Sequence, residues 1–542
     1  MGHFENIIVG AGPAGLQCAY YFKKYNIPYL VLERADKAGS FFEKYPHSGS
    51  LISINKTKLK SDNADFRLRH DWNSLLNDEG LLFTKYSEDF YPKKENLVCY
   101  LNDFAQHYYL NIEYGKWVER VTNEDGQYQI KIRGEKDLYT CSRLIVAVGV
   151  SKPNIPKLIL NVQDPILHYA QYPAGYFLNK SNIKEFEGKN VFILGGGNAA
   201  YELANLLNEV TNSILVGGRS KKKWSMSSHY AGDIRSIYLP FMDTFLLKSL
   251  NGTDIYEELS ATKNPQIISN LKIEQVGKKY YIYSVLFDSM EPMYPQRPYY
   301  DKVIFCTGWT PDLAWLDFSV PFENNGLPII KPNFESATNP GLFFIGALGQ
   351  TLDYKKSSGA FIHGFRYLIK TFMHLNYKIS FESLKFSFSP TMCAEISNHV
   401  VGRWNTSSDM YQMFGYLSDV LFFNLADGGT IYYQNIPAQI VLSHLKIAQS
   451  KLKESSLLFI FTLEYGDNIV TNYLEIGDNT SKLGKESNSA LIHPVVRVYR
   501  TSTKKLVDVV HFGEDLFAEF VLPKLYQEKL ERLLKSWQSI PP

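Results

Sequence analysis

The hexapeptide Gly10-Ala11-Gly12-Pro13-Ala14-Gly15 lies between an apolar run, residues 6–10, and a helix-forming run, residues 13–25. Each glycine of a G-x-G-x-x-G spacing answers a separate need. Gly10 permits a tight turn out of a strand, Gly12 lets a pyrophosphate approach without a Cβ in its path, and Gly15 lets the helix pack closely on the sheet. Pro13 and Ala14 open the helix, whose free N–H groups present partial positive charge to phosphates. Glu33 ends the next apolar run, where a carboxylate accepts hydrogen bonds from ribose hydroxyls. Arg34 and Phe41 follow it as further cofactor-binding candidates. The competing reading is a glycine turn with a coincidental acid.

A second loop, Gly195-Gly196-Gly197-Asn198-Ala199-Ala200, has the form G-x-G-x-x-A, again after a strand pattern and before a helix pattern. Gly195, Gly197, Asn198 and Ala199 are its candidate contacts. The place equivalent to Glu33 is Gly218, so the acid that would repel a 2′-phosphate is missing. Arg219, Ser220 and a lysine run, residues 221–223, follow at once. An arginine fork with nearby cations suits a 2′-phosphate, so the pattern favours NADPH over NADH. The competing reading makes the lysines a solvated loop. Two such sites in one chain predict a resident flavin, FAD, and a nicotinamide that passes hydride to it.

These loops need elements to hold them. Each reads as a β-α-β unit, which requires a parallel sheet and a crossover helix. The expected fold class is α/β: two Rossmann-like dinucleotide-binding domains, for FAD and NADPH, plus an α+β C-terminal extension. The expected boundaries are 1–155 for the first part of the FAD domain, 156–312 for the NADPH domain, 313–378 for the second part of the FAD domain, and 379–542 for the extension. A chain of 542 residues fits two or three domains. Helices are also expected over 95–109 and 357–374, with a linker near 376–392.

The net charge of +2, with 45% hydrophobic and 21% charged residues, gives no sign of a nucleic-acid partner. No apolar run is long enough to span a bilayer, and residues 1–6 lead straight into a strand, leaving no room for a secretory signal. A cytoplasmic location is the expectation. The five cysteines, Cys18, Cys99, Cys141, Cys306 and Cys393, include no C-x-x-C pair. A disulfide framework, a structural zinc site and a redox dithiol are all disfavoured, and no metal site is expected.

The layout resembles the two-dinucleotide-domain flavoproteins, which include flavin-containing monooxygenases and pyridine nucleotide-disulfide oxidoreductases. Val146-Ala147-Val148-Gly149 and Cys306-Thr307-Gly308-Trp309-Thr310-Pro311-Asp312 look like their linker signatures, and residues 341–346, ending in Gly346, look like their last FAD-contacting strand. That resemblance implies cofactor contacts at Gly149, Gly308 and Gly346. The missing C-x-x-C, and Ala347 where disulfide reductases usually have Asp, lean toward the monooxygenase side. A closer resemblance is to the FAD-dependent oxidoreductase domain-containing family, with its endoplasmic-reticulum member associated with degradation. It is carried by residues 51–56, 68–76, 229–235, 247–250, 357–367, 410–415 and 491–494, and so by nearly the whole chain. The signal peptide and retention tail of that member have no counterpart here.

The resemblance implies an NADPH-dependent FAD monooxygenase, oxygenating a small molecule at N or S with O2 through a C4a-(hydro)peroxyflavin. The alternatives are an NADPH oxidase or reductase without oxygen transfer, and a flavoprotein with a mainly protein-interaction role. Such enzymes place an active-site Asn after the FAD unit, which points to Asn73 as a donor to flavin or nicotinamide, with His70 beside it. The competing reading puts Trp72 in the core and makes Asp71 the cap of a helix over 72–76. Arg235, with His229 and Asp233, is a candidate for the cleft between domains or for a structural ion pair. Lys355 follows the last FAD strand and is a candidate for the flavin N1 end. His168 and Tyr172 fit a degenerate monooxygenase fingerprint over 162–172. A homodimer is expected from superfamily habit alone.

Overall fold

The computed structural model describes residues 2–59, 61–217, 255–257, 271–284, 299–424, 429–441, 456–466, 486–489, 491–515 and 517–538. Strand Gly2–Val9 is exposed over its first half and buried at Asn6 to Val9, where parallel neighbours flank it. It lies between Leu30–Leu32 and Leu138–Val146. The latter pairs in parallel with Leu342–Phe344 and antiparallel with Gln127–Ile132. Helix Pro13–Lys24 buries nine consecutive residues, Ala14 to Phe22. It is covered on both sides because it packs against helices Lys94–His107 and Ile362–Asn376 as well as the sheet. A helix buried all round carries no polar stripe, which is why Ala, Leu, Cys, Tyr and Phe fill it.

The second unit is a smaller parallel sheet. Asn190–Leu194 lies between Ser213–Gly217 and Lys302–Phe305, with Ile255–Glu257 at one edge. Its helix is Asn198–Leu207. A two-stranded crossing joins the two units, Lys152–Pro153 against Trp309–Thr310.

The C-terminal residues form a six-stranded antiparallel sheet. Its order runs Ser383–Phe386, Thr430–Pro437, Leu417–Asn424, Ser456–Tyr465, Ile492–Arg500 and Lys505–His511. Alternation sorts its side chains onto two faces. Leu421, Phe423, Phe459 and Phe461 meet helices Met392–Thr406 and Gln527–Gln538, while Val420, Phe422, Leu458 and Ile460 form a separate cluster on the opposite face with Phe381. The expected linker near 376–392 therefore contains an edge strand. The helix expected over 357–374 begins later, at Ile362, because Asp353 accepts the Ser357 N–H and holds residues 353–361 in turns.

Candidate functional site

A cavity of about 630 Å³ opens between the two nucleotide loops. Its floor is Gly10, Gly12, Pro13 and Ala14. Gly10 has φ +105°, which a side chain rarely tolerates. A Cβ on Gly12 would meet no protein atom within 4 Å, so the space above it is free for a ligand. Gly15 is off the cavity: a Cβ there would lie 1.9 Å from the Gly10 carbonyl oxygen, so its role is close packing of helix on strand. Gly346 likewise serves packing, since its Cβ would lie 2.5 Å from that of Ala14. Glu33 lines the cavity and accepts the Ala11 N–H at 2.7 Å and the Ala35 N–H at 2.9 Å. Each carboxylate oxygen keeps a lone pair for a ribose hydroxyl. Arg34, Phe41 and Gly149 also line the cavity, with Lys116 and Trp117 near the Glu33 end. These residues fit FAD: a glycine cradle open to a pyrophosphate, with an acceptor beside it for ribose.

The second loop reaches the same cavity through Asn198, Ala199 and Glu202. Gly195 and Gly197 shape the turn without lining the wall. A Cβ on Gly195 would lie 2.2 Å from the Cys306 carbonyl oxygen, and one on Gly197 would meet open space. The Asn198 Oδ1 is buried with no partner among the described residues. Gly308 does not line the cavity, whereas Trp309 and Asp312, which follow it in sequence, do. Arg219, Ser220 and Arg235, with His229 and Asp233, lie outside the described residues.

Hydrogen bonds tie the segment 44–47 to residues 169–170, and Tyr169 to the helix Asn198–Leu207. Lys44 Nζ and Tyr45 OH both donate to the Ala170 carbonyl, at 2.7 and 2.8 Å. The His47 N–H donates to the Tyr169 hydroxyl at 2.8 Å, and that hydroxyl donates to Glu202 at 3.3 Å. Burial depresses the His47 pKa to about 4, so the ring is neutral. Burial lifts the Glu202 carboxyl to about 7. Aromatic rings complete the walls. Trp309 packs edge-on against Phe41 and Tyr45, Trp72 stacks on His363 at 4.2 Å, and Phe361 stacks on His363 at 5.5 Å.

Four further candidates from the sequence, Asn73, His70, Lys355 and His168, are also placed away from the cavity. Asn73 is fully buried, yet its Oδ1 accepts from Ser53 Oγ at 2.6 Å and its Nδ2 donates to the Ser53 and Ile54 carbonyls. It therefore pins the segment 51–54, which lines the cavity, from behind. Trp72 takes the wall position instead of a core one. Asp71 does cap, accepting the Asn73 and Ser74 N–H groups, but it caps a turn with no helix after it. His70 packs edge-on against Phe66 and burial depresses its pKa to about 4, leaving no cation there for chemistry. Lys355 is exposed, with its ammonium over the Tyr354 ring, because its positive-φ turn carries it outward. His168 is buried and accepts the Ala170 N–H on Nδ1, a capping role.

The residues that shape the cavity and that the sequence reading missed are Glu202, Trp72, His363, Tyr169 and Tyr45. Glu202 carried one readable signal. It stands one helical turn after Asn198, on the same face of a helix whose N-terminus is the glycine loop.

Residues 7–346 match the model of the pyridine nucleotide-disulphide oxidoreductase family. FAD-dependent oxidoreductase domain-containing protein 2 of Mus musculus is 33% identical over 92% of this chain and 76% of its own length. The chain belongs to that family. Its members are FAD- and NAD(P)-dependent oxidoreductases in class. An uncharacterized oxidoreductase, CzcO-like, of Geobacillus kaustophilus is 26% identical over 64% of this chain and 92% of its own length. Almost all of that relative is thus matched by under two thirds of the present chain. A solved flavin-containing monooxygenase from Stenotrophomonas maltophilia covers 70% of this chain and 100% of its own, with 17% identity and a TM-score of 0.47.

Proposed function

We propose that this oxidoreductase is an NADPH-dependent FAD monooxygenase that uses O2 to oxygenate a small molecule at nitrogen or sulfur. The observation that carries the reading is the single cavity walled by both nucleotide loops and free of thiols. Among its lining residues there is no cysteine. Cys18, Cys141, Cys306 and Cys393 are buried, and burial pushes their thiols up, away from the thiolate form that exchanges disulfides. Cys99 is exposed and outside the cavity. Electrons delivered to this cavity have no dithiol exit.

Bound FAD would supply the two-electron chemistry. The chain's own contribution is positional. Gly10 and Gly12 give a phosphate cradle, Glu33 a ribose acceptor, and Phe41, Trp72, Trp309, Phe361 and Phe365 an apolar stretch of wall. The choice of NADPH rests on Gly218 and Arg219.

The test is anaerobic reduction of the flavin by NADPH, followed by rapid mixing with oxygenated buffer. A transient spectrum distinct from reduced and oxidised flavin, and NADPH use exceeding peroxide release once a substrate is added, support a monooxygenase. Direct return to oxidised flavin with one peroxide per NADPH, substrate present, makes it an oxidase. A flavin that NADPH does not reduce points to an interaction protein.

A further inference from the structure

The cavity walls hold three carboxylates, and they differ in what they can do. Glu33 is fixed by two backbone N–H donors, those of Ala11 and Ala35. Asp312 is exposed to solvent. Glu202 is 5% exposed, projects from helix Asn198–Leu207, and reaches the cavity beside Asn198 and Ala199. The loop 168–172 gives the Tyr169 hydroxyl, which donates to it; the segment 45–48 gives the half-buried Ser48, whose hydroxyl donates to the Ser50 carbonyl at 3.3 Å, and neutral His47, whose N–H donates to the Tyr169 hydroxyl. The strand end after Phe305 gives the buried Cys306 thiol. Among the described residues no cation contributes to its titration. A carboxyl buried beside the Tyr169 hydroxyl, with no positive partner, holds a proton near neutrality.

Turnover needs such a proton. A hydride brings two electrons and one proton from nicotinamide. An oxidase consumes NADPH, H⁺ and O2 and yields NADP⁺ and H2O2. An oxygenase consumes NADPH, H⁺, O2 and substrate and yields NADP⁺, H2O and oxygenated substrate. In both, one further proton must be delivered at the cavity, and Glu202 is the buried carboxyl among its lining residues that lacks backbone N–H donors. We propose that Glu202 is the acid that hands this proton into the cavity, breaking its own O–H bond as an O–H bond of the released H2O2 or H2O forms, and takes a proton back from solvent on the side of the half-buried Ser48. The proposal rests on the oxidoreductase reading above, and not on whether oxygen is transferred to a substrate.

The test uses the full-length holoprotein and reads the carboxyl directly. Infrared difference spectra across neutrality are expected to show a protonated-carboxyl band lost with a midpoint near 7, and absent in Glu202→Gln, which keeps size and hydrogen-bonding capacity. In Tyr169→Phe the midpoint is expected to move up, because the hydroxyl that stabilises the carboxylate is gone. Reoxidation of NADPH-reduced flavin by O2 is expected to fall about tenfold per pH unit above the wild-type midpoint, as for any step needing one protonated acid. In Glu202→Gln it is expected to be slow and flat with pH. A band that persists in Glu202→Gln, or a reoxidation profile that keeps its wild-type pH dependence there, overturns the proposal. Wild-type flavin that NADPH fails to reduce before oxygen is admitted overturns the underlying oxidoreductase reading instead.

Discussion

Gly12 and Gly15 belong to one loop and should fail differently when substituted. Gly12 has φ −74°, ordinary for any residue, and its Cβ would enter open cavity. Gly12→Val is therefore expected to melt like the wild-type apoprotein but to hold FAD at least about tenfold more weakly, about 1.4 kcal/mol, read by flavin content and titration. Gly15→Ala forces a Cβ into the Gly10 carbonyl and is expected to cost at least about 1–3 kcal/mol of stability in denaturant unfolding. Equal flavin affinity in Gly12→Val would remove the pyrophosphate from that loop. Glu202 sets a pH-dependent stability whose sign is fixed. Its folded pKa, about 7, lies above its ordinary 4.5, so between those values the unfolded chain gives up the proton while the folded chain keeps it. Stability from this group is full below 4.5, falls as pH rises to about 7, and is lower by about 3 kcal/mol above that. Glu202→Gln is expected to match wild type in acid and to exceed it increasingly up to mild alkali. The glycines and Glu33 were legible because backbone sterics allow few residues in such a turn. The placement of Asn73 behind the wall was not legible, because a buried polar residue after a tryptophan has the same sequence signature whether it faces a ligand or a neighbouring loop.

At the scale of elements, the segment 65–76 is held by arginines from three directions. Arg366, fully buried on helix Ile362–Asn376, donates to the Leu68, Asp71 and Ser74 carbonyls. Arg69 donates to Trp404, Ser407 and Ala518 carbonyls and stacks over Tyr411. Arg403 pairs with Asp65, Asp409 and Asp419. Trp72 and Asn73 are thereby fixed against the cavity wall. Arg366→Met fills the same space but leaves three carbonyls without donors, and is expected to cost about 3–5 kcal/mol in denaturant unfolding. Amide exchange should rise first over 68–76, and flavin content should fall. Unchanged exchange there would show that the clamp holds nothing. The β-α-β units were readable from apolar runs and glycine punctuation. The clamp was not, because its bonds join residues some three hundred positions apart, such as Arg366 with Leu68, and nothing local marks a buried arginine whose partners are backbone carbonyls.

At the scale of the whole molecule, the C-terminal sheet is coupled to the nucleotide part through shared core as well as through Arg69. Met413, Tyr416 and Leu417 belong to the cluster that also holds Phe365, Leu368 and the helix Pro13–Lys24. The Gln412 side chain donates to the Arg69 carbonyl at 2.8 Å, while its own carbonyl accepts from the Ser358 N–H at 3.1 Å. The sequence pattern showed mixed helix and strand after residue 379 but could not show this docking, since either an independent domain or a fused layer fits such a pattern. A fused layer has a thermodynamic consequence. Removing it would expose Leu368 and Phe365 and leave the buried Arg69 without its three acceptors, a cost of several kcal/mol against a total stability of about 5–15 kcal/mol. Calorimetry of the intact holoprotein is therefore expected to show the FAD part and the C-terminal sheet unfolding in one transition, with flavin released within it. A chain ending at Lys378 is expected to be insoluble or to bind no flavin. Two separated transitions, with flavin kept through the first, would instead make the C-terminal sheet an independent module that leaves the cavity intact when it unfolds.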